Sequence, residues 1–272
     1  MPRITALNVY PVKSCGGISL NEAMLKHTGF AYDREWMIVK PDGGFVSQRE
    51  DPRLALITPR IGDGTLTLLA PTCEPLRLPL SEDFVESKPR IEVTCLKDRC
   101  TAIDTGEEAA QWLQSLLGKP YRLVRFDATR QRLSNTKWTG ETQAPVFFAD
   151  GYAYLVLSQA SLDDLNGRLE QPLPMNRFRP NIVVDGLPAY GEDGIKEFCS
   201  EGIRLRPVKP CTRCIITTTN QANGERDGAE PLDTLRTYRL SSEPRGVVFG
   251  QNAILIEGEG QALRVGQELG AK

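Results

Sequence analysis

Residues 210–219 have the sequence Pro-Cys-Thr-Arg-Cys-Ile-Ile-Thr-Thr-Thr, in which a Cys-x-x-Cys pair, Cys211 and Cys214, precedes a β-branched run. Because β-branched residues favour strands, the run predicts a strand over residues 215–219. A thioredoxin-type pair instead needs a helix N-terminus after the motif, which lowers the pKa of the attacking thiol. The predicted strand therefore argues against a redox disulfide.

Other metal sites fit the pair less well. A structural zinc site needs further ligands, and Cys95 and Cys100 could supply them only at a spacing at the long end of the usual pattern. A plant-type iron–sulfur cluster needs a third closely spaced cysteine, which neither stretch offers. A buried pair of free thiols stays open. Lys209 and Arg213 bring positive charge to Cys214, and this favours the thiolate that binds a soft metal.

The composition is that of a folded, soluble protein. The 272 residues are 40% hydrophobic and 25% charged, and the net charge is −2. Since duplex binding needs a basic face, no nucleic-acid partner is expected. No apolar run approaches the roughly 18 residues of a membrane span, so no membrane association is expected.

The seven cysteines indicate a reducing compartment. Their number is odd, and residues 1–14 lack the apolar core of a secretory signal peptide. Free thiols persist in reducing compartments, so we predict a cytoplasmic protein. The single histidine, His27, excludes a metal site with several histidines.

Strand and turn signals dominate, so the predicted fold class is α+β and mainly β. Runs bounded by turn residues predict hairpins over residues 36–47 and 54–69. Helices are expected to begin at three points: after a capping box at Thr105, at Ser158 or Ser161, and at Pro231. The polar residues 130–143 predict a long loop over a site.

Three other stretches combine cationic residues with features that suit an anion. Lys13 and Ser14 precede a glycine pair, which lets backbone N–H groups approach a ligand. Arg34 begins a predicted strand. Arg177 and Arg179 lie two residues apart, and Arg179 precedes a proline, which favours an extended backbone. Both guanidinium groups are then expected on one side, where such forks suit phosphate.

Together these segments resemble the MOSC-domain family with its N-terminal β-barrel domain, which includes the bacterial hydroxylaminopurine-detoxifying enzymes and the mitochondrial amidoxime-reducing components. Each motif alone is weak, but the ordered series is specific. The matching motifs cover essentially the whole chain: Tyr10-Pro-Val-Lys-Ser14, Asp33-Arg34, Ser158-Gln-Ala-Ser161-Leu, Phe178-Arg-Pro-Asn181-Ile, Pro210-Cys-Thr-Arg-Cys214, Pro231-Leu-Asp-Thr-Leu-Arg-Thr-Tyr-Arg239 and Phe249-Gly-Gln251-Asn252.

The resemblance implies a MOSC-type β-barrel core, a β-rich N-terminal domain and a few peripheral helices. Residues 118–121 end a predicted helix and precede a new strand-like run. We therefore predict an N-terminal β-rich domain over residues 1–120 and a MOSC domain over residues 121–272.

The resemblance also implies a molybdenum cofactor, in which a molybdopterin binds molybdenum, and independence of pyridoxal phosphate. Cys214 matches the family's metal ligand and is the expected catalytic residue. The matching cofactor contacts are Lys13, Ser14, Arg34, Ser158, Arg179, Asn181, Thr212, Arg213, Gln251 and Asn252.

The activity that the resemblance implies is that of an oxidoreductase. It reduces N-hydroxylated compounds, such as hydroxylaminopurines, hydroxylamines and amidoximes, by oxygen-atom removal at molybdenum. Since no cysteine follows Cys214, the electrons are expected from a separate flavoprotein reductase or small redox protein. The alternative is a non-catalytic carrier of the cofactor or of sulfur, which would use the same anion-binding residues.

Overall fold

The computed structural model describes residues 1–272, and strands predominate in it, so the prediction of a mainly β fold of the α+β class is confirmed. The strands are β1 (Arg3–Val9), β2 (Ile18–Leu20), β3 (Glu22–Lys26), β4 (Gly29–Phe30), β5 (Trp36–Val39), β6 (Thr58–Gly62), β7 (Thr65–Ala70), β8 (Cys73–Pro79), β9 (Arg90–Cys95), β10 (Asp98–Asp104), β11 (Arg122–Phe126), β12 (Tyr154–Ser158), β13 (Ile182–Asp185), β14 (Phe198–Ser200), β15 (Ile203–Thr212), β16 (Leu240–Ser242), β17 (Arg245–Glu257), β18 (Ala262–Arg264) and β19 (Gly270–Ala271). The α-helices are α1 (Glu82–Glu86), α2 (Glu107–Leu117), α3 (Thr136–Thr139), α4 (Gln159–Asn166) and α5 (Leu232–Tyr238). Short 3-10 helices cover Pro52–Leu56, Met175–Arg177, Gly191–Gly194 and Ile215–Thr218.

A large sheet forms one half of the molecule. Its strand order is β19-β14-β15-β17-β12-β13-β1-β2, with β16 beside β17. Neighbouring strands are antiparallel except β12 and β13, which are parallel. In β1, Ile4, Leu7 and Val9 are buried on the face that packs into the main hydrophobic core. The N-terminal strand is therefore an internal member of this sheet.

The other half consists of two smaller sheets and helix α2. Strands β5-β11-β10-β9 form one sheet and β6-β7-β8 the other. Along α2, Ala109, Leu113 and Leu117 recur at intervals of four residues, which places them on one helix face, and all three are buried in one core with residues of the small sheets. The helix ends at Gly118, whose φ of 72° is the left-handed conformation that glycine favours.

Strands cross between the two halves. Strand β11 follows residue 120 in sequence, yet it pairs with β5 and β10 in the smaller half. Strands β1 and β2 begin the chain, yet β1 pairs with β13 in the large sheet. The division of the chain at residue 120 stays a prediction, and the strand pairing joins the halves on both sides of it.

Several predicted elements form with altered boundaries. The second hairpin is confirmed as β6 and β7, but its first predicted residues form the 3-10 helix Pro52–Leu56, which the Asp51 side chain caps. Helix α4 begins after Ser158, whose Oγ accepts from the N–H of Ser161. Thr105 does not cap α2, because its hydroxyl donates to the carbonyl of Leu123 instead. None of the helices is long and apolar enough to span a membrane.

Residues 130–143, predicted as a long loop over a site, contain a short helix and pack on the large sheet. Their short helix α3 packs beside β15, and Trp138 packs against Tyr152 and Ile254. Arg206 on β15 donates to the carbonyl of Thr139 at 3.1 Å, which holds the segment on the large sheet.

Substitution Leu113→Ala tests the packing of α2. Because Leu113 is fully buried, the change is expected to lower the free energy of unfolding by about 2–5 kcal/mol. Urea unfolding followed by circular dichroism measures it. Gln114→Ala, on the exposed side of the same turn, is the control and is expected to change stability by less than about 0.5 kcal/mol. Equal losses in the two variants would contradict this packing.

Candidate active site

A cleft of about 830 Å³, including its open mouth, lies where segments from both halves of the molecule meet. Lining residues come from strand ends and the turns that follow them. They lie within residues 13–14, 47–49, 149–155, 178–181 and 211–217, together with Arg34 and Asn252.

The Cys-x-x-Cys segment leaves the large sheet at this cleft. Strand β15 ends at Thr212, and Cys214 is the N-cap residue directly before the 3-10 helix Ile215–Thr218. The predicted strand over residues 215–219 is therefore wrong. The hydroxyl of Thr217 donates to the carbonyl of Cys214 at 2.9 Å, and such local bonds override the strand preference of β-branched residues. The strand no longer argues against a redox pair, although one short turn lacks the dipole of a longer helix.

The two cysteines of the motif have different partners. Cys211 Sγ accepts from Arg213 Nη1 at 2.9 Å. Cys214 Sγ accepts from Arg49 Nη1 at 3.6 Å. Arg213, the expected charge partner of Cys214, therefore points to the other sulfur. Both thiols are free.

Cys95 and Cys100 do not join the motif as zinc ligands. They lie on β9 and β10 and are buried in the core of the four-stranded sheet. The structure contains no group of three or more His, Cys, Asp or Glu side chains that could hold a metal ion. The structural zinc site is thus not formed.

Two arginines share the ring of Tyr10. The guanidinium carbons of Arg34 and Arg179 lie 4.4 Å and 4.3 Å from the ring centroid. Arg34 pairs with the carboxylate of Asp33 and donates to Asn181 Oδ1 at 3.1 Å. Arg179 donates to the carbonyl of Cys15 at 2.6 Å, and burial lowers its pKa to about 10. Both arginines have positive φ angles, 50° and 56°, a backbone conformation that residues other than glycine rarely adopt.

Arg177 does not join Arg179 in the cleft. The backbone at Arg179 is left-handed and not extended, and Arg177 lies in the 3-10 helix Met175–Arg177. Its guanidinium donates to the carbonyl of Thr218 and to Asp227, both at 2.7 Å. Arg177 therefore stabilises the turn after Cys214. The prediction that the guanidinium groups of Arg177 and Arg179 point the same way is wrong.

Lys13 forms an ion pair that the sequence did not indicate. Its ammonium contacts the carboxylate of Asp150 and donates to the carbonyl of Phe148 at 2.8 Å. Desolvation in the cleft would raise the pKa of Asp150. The positive charges of Lys13, Arg49 and Arg34 outweigh that effect and hold the pKa of Asp150 below its ordinary value. Asp150 is thus an anion among cations.

Comparison with known proteins agrees with this arrangement. Residues 1–120 match the MOSC N-terminal beta barrel domain, and residues 143–270 match the MOSC domain. The chain is 37% identical to mitochondrial amidoxime-reducing component 1 of Mus musculus, over 91% of this chain and 74% of the relative. Identity to the Homo sapiens component 1 is 35%, over 92% and 76%. The chain belongs to the MOSC family.

Further similarity to Bos taurus mitochondrial amidoxime reducing component 2, at 36% identity over 87% of this chain and 72% of the relative, supports the same membership. The predicted resemblance is confirmed. Because these relatives are named for a reducing activity, the prediction that this MOSC protein is an oxidoreductase is also confirmed.

The predicted cytoplasmic location is wrong. The relatives are named as mitochondrial proteins, which points to mitochondria. The physical reason for the error is that free thiols indicate a reducing compartment without identifying it. All seven cysteines are free, as expected.

Most of the predicted site residues of this MOSC protein lie at the cleft. These are Lys13, Ser14, Arg34, Arg179, Asn181, Thr212, Arg213, Cys214 and Asn252. Ser158 and Gln251 do not line it. Ser158 Oγ caps α4, and its N–H donates to Glu192 at 3.2 Å. Gln251 donates to Asp193 at 2.7 Å, so its side chain is engaged elsewhere.

Sequence reasoning missed Ser47, Arg49, Asp150 and Tyr152, which also line the cleft. Arg49 is separated from Cys214 by 165 positions, and no local pattern connects them. The one available signal for Arg49 is its place in a short polar turn after a predicted strand.

A buried glutamine joins the turn that carries Arg49 to the rest of the site. Gln48 donates to the carbonyl of Ser14 at 2.7 Å, and its amide forms two hydrogen bonds of 3.0 Å with Gln221. Arg226 donates to the backbone carbonyl of Arg49. The chain after Cys214 thereby holds the turn of the N-terminal half in place.

Thiol reactivity tests this description of the cysteines. Burial raises the pKa of Cys15 to about 12, so at pH 8 only roughly one thiol in ten thousand is ionised. Cys211 is partly exposed beside Arg213, so iodoacetamide is expected to alkylate it at least about tenfold faster than Cys15. Peptide mass mapping over time measures both rates, and unfolded protein, in which the rates converge, is the control. Comparable rates in folded protein would contradict the structure.

Proposed function

We propose that this MOSC protein reduces N-hydroxylated compounds with a bound molybdenum cofactor. The observation that carries the proposal is the convergence of a free thiol, Cys214, with several cations in one cleft. A thiolate suits a soft metal, and arginine forks suit a phosphate group. The relatives are named for the reduction of amidoximes, which are N-hydroxylated compounds.

The cleft fits an anionic cofactor in a further respect. Arg213 donates through Nη1 to Cys211 and through Nη2 to the carbonyl of Phe178. Its Nε is buried and has no partner in the protein. A buried donor without a partner costs about 1–3 kcal/mol, and an acceptor on a bound cofactor would relieve that cost.

The proposed roles follow from the placement of each group. Cys214 is the metal ligand and catalytic residue. Lys13, Ser14, Arg34 and Arg179 hold the phosphate end. The remaining proposed contacts are Asn181, Thr212, Arg213 and Asn252. When bound, the molybdenum cofactor supplies the redox chemistry that removes oxygen from the N–OH group.

The protein's own residues orient and neutralise the cofactor. Tyr10 keeps Arg34 and Arg179 side by side, and Asp33 compensates part of their charge. Asp150, negatively charged at the mouth, is available to a hydrogen-bond donor on the substrate. We further propose a separate electron-donor protein, a flavoprotein reductase or a small redox protein.

The cysteine pair provides a matched test. Purified protein from a host that makes the cofactor is expected to contain molybdenum and pterin and to reduce a hydroxylaminopurine with a chemical electron donor. Removing a residue that only hydrogen-bonds to a metal ligand lowers activity by about 10–100-fold. Because Cys214 is the proposed ligand itself, Cys214→Ala is expected to lower activity further. Cys211→Ala, three residues earlier on β15, is expected to retain activity within a few-fold. Metal analysis and initial rates measure these effects.

Other results would contradict the proposal in distinct ways. Zinc without pterin in the wild-type protein would exclude both a molybdenum enzyme and a cofactor carrier. Bound cofactor without turnover on any N-hydroxylated compound would indicate a carrier. Equal loss of activity in the two cysteine variants would point to a paired site.

A further inference from the structure

The charge partner of the Cys214 sulfur, Arg49, lies in a turn after β5, in the half of the molecule that the smaller sheets form. Arg49 Nη1 donates to Cys214 Sγ at 3.6 Å across 165 positions of sequence. The neighbouring Arg213 is committed to Cys211 and to the carbonyl of Phe178. Arg49 is therefore the cation that acts directly on this sulfur.

The guanidinium of Arg49 is held before any ligand binds. The N–H of Arg49 donates to Ser47 Oγ at 3.3 Å, and the N–H groups of Glu50 and Asp51 donate to the carbonyl of Ser47. The guanidinium carbon lies 5.7 Å from the ring centroid of Phe45. The turn fixes the backbone from which the side chain extends, and the ring restricts the side chain itself, so little rotamer freedom is lost when the guanidinium contacts the sulfur.

A cation that donates to a metal-bound thiolate alters the metal itself. Hydrogen bonds to the sulfur withdraw electron density, which stabilises the reduced metal and raises its reduction potential. They also orient the ligand. We propose that Arg49 is a positioning residue that orients the Cys214 sulfur and raises the reduction potential of the bound molybdenum. This inference rests on the proposed function.

Variants of Arg49 in the cofactor-loaded full chain test the proposal. Arg49→Met keeps an unbranched apolar stem and removes the charge and the donors, whereas Arg49→Lys keeps the charge without the fork. Arg60→Met, on the exposed edge of β6, is the control. The readouts are the molybdenum reduction potential, from a titration followed by electron paramagnetic resonance, and molybdenum per chain after gel filtration. Thermal unfolding checks that each variant folds.

We expect Arg49→Met to shift the potential to a more negative value and to weaken molybdenum retention by about 10–100-fold. Arg49→Lys is expected to fall between Arg49→Met and wild type, and Arg60→Met to match wild type. A merely structural role of Arg49 would lower retention without moving the potential of the molybdenum that stays bound.

Two results would overturn the inference. If the wild-type protein binds molybdenum and both Arg49→Met and Arg49→Lys have the wild-type reduction potential, the inference is refuted and the proposed function stays intact. Wild-type protein that holds neither molybdenum nor pterin would refute the proposed function and this inference together.

Discussion

The stacking of Arg34 and Arg179 on the ring of Tyr10 is the interaction on which the cleft depends. It brings like charges together at distances of 4.4 Å and 4.3 Å from one ring centroid. The arrangement persists because each cation has an acceptor of its own, Asp33 for Arg34 and the carbonyl of Cys15 for Arg179. Tyr10 itself is fixed by its N–H, which donates to Asp33 at 2.8 Å. The result is a positive cleft without an internal counter-ion for every charge.

Backbone strain accompanies this arrangement. Ser14, Arg34 and Arg179 all have positive φ angles, which cost non-glycine residues conformational energy. Such strain persists where the surrounding structure fixes the residue, and it concentrates at ligand-binding sites. Here the left-handed backbone conformation directs the side chains of three segments, distant in sequence, into the cleft. A regular strand at any of them would direct the side chain elsewhere.

Neither half of the molecule holds the site alone. Residues 1–120 supply Lys13 and Arg49, and the segment that follows β15 supplies Cys214. Hydrogen bonds between Gln48 and Gln221 fix the relation of the two contributions. Strand β1 pairs with β13, and strand β11 pairs with β5. Backbone hydrogen bonds therefore also join residues 1–120 to the rest of the chain. The position of the Cys214 sulfur thus depends on packing throughout the chain.

The sequence by itself determined the fold class, the family and most of the residues that gather at the cleft, because turn signals and short motifs are local patterns. It also identified Cys214 and the cations Lys13, Arg34, Arg179 and Arg213. Only the tertiary structure decided which cation faces which sulfur. Arg49 replaced Arg213 beside Cys214. Arg177 points away from the cleft, because its guanidinium donates to the carbonyl of Thr218 and to Asp227, long-range contacts that no local pattern contains.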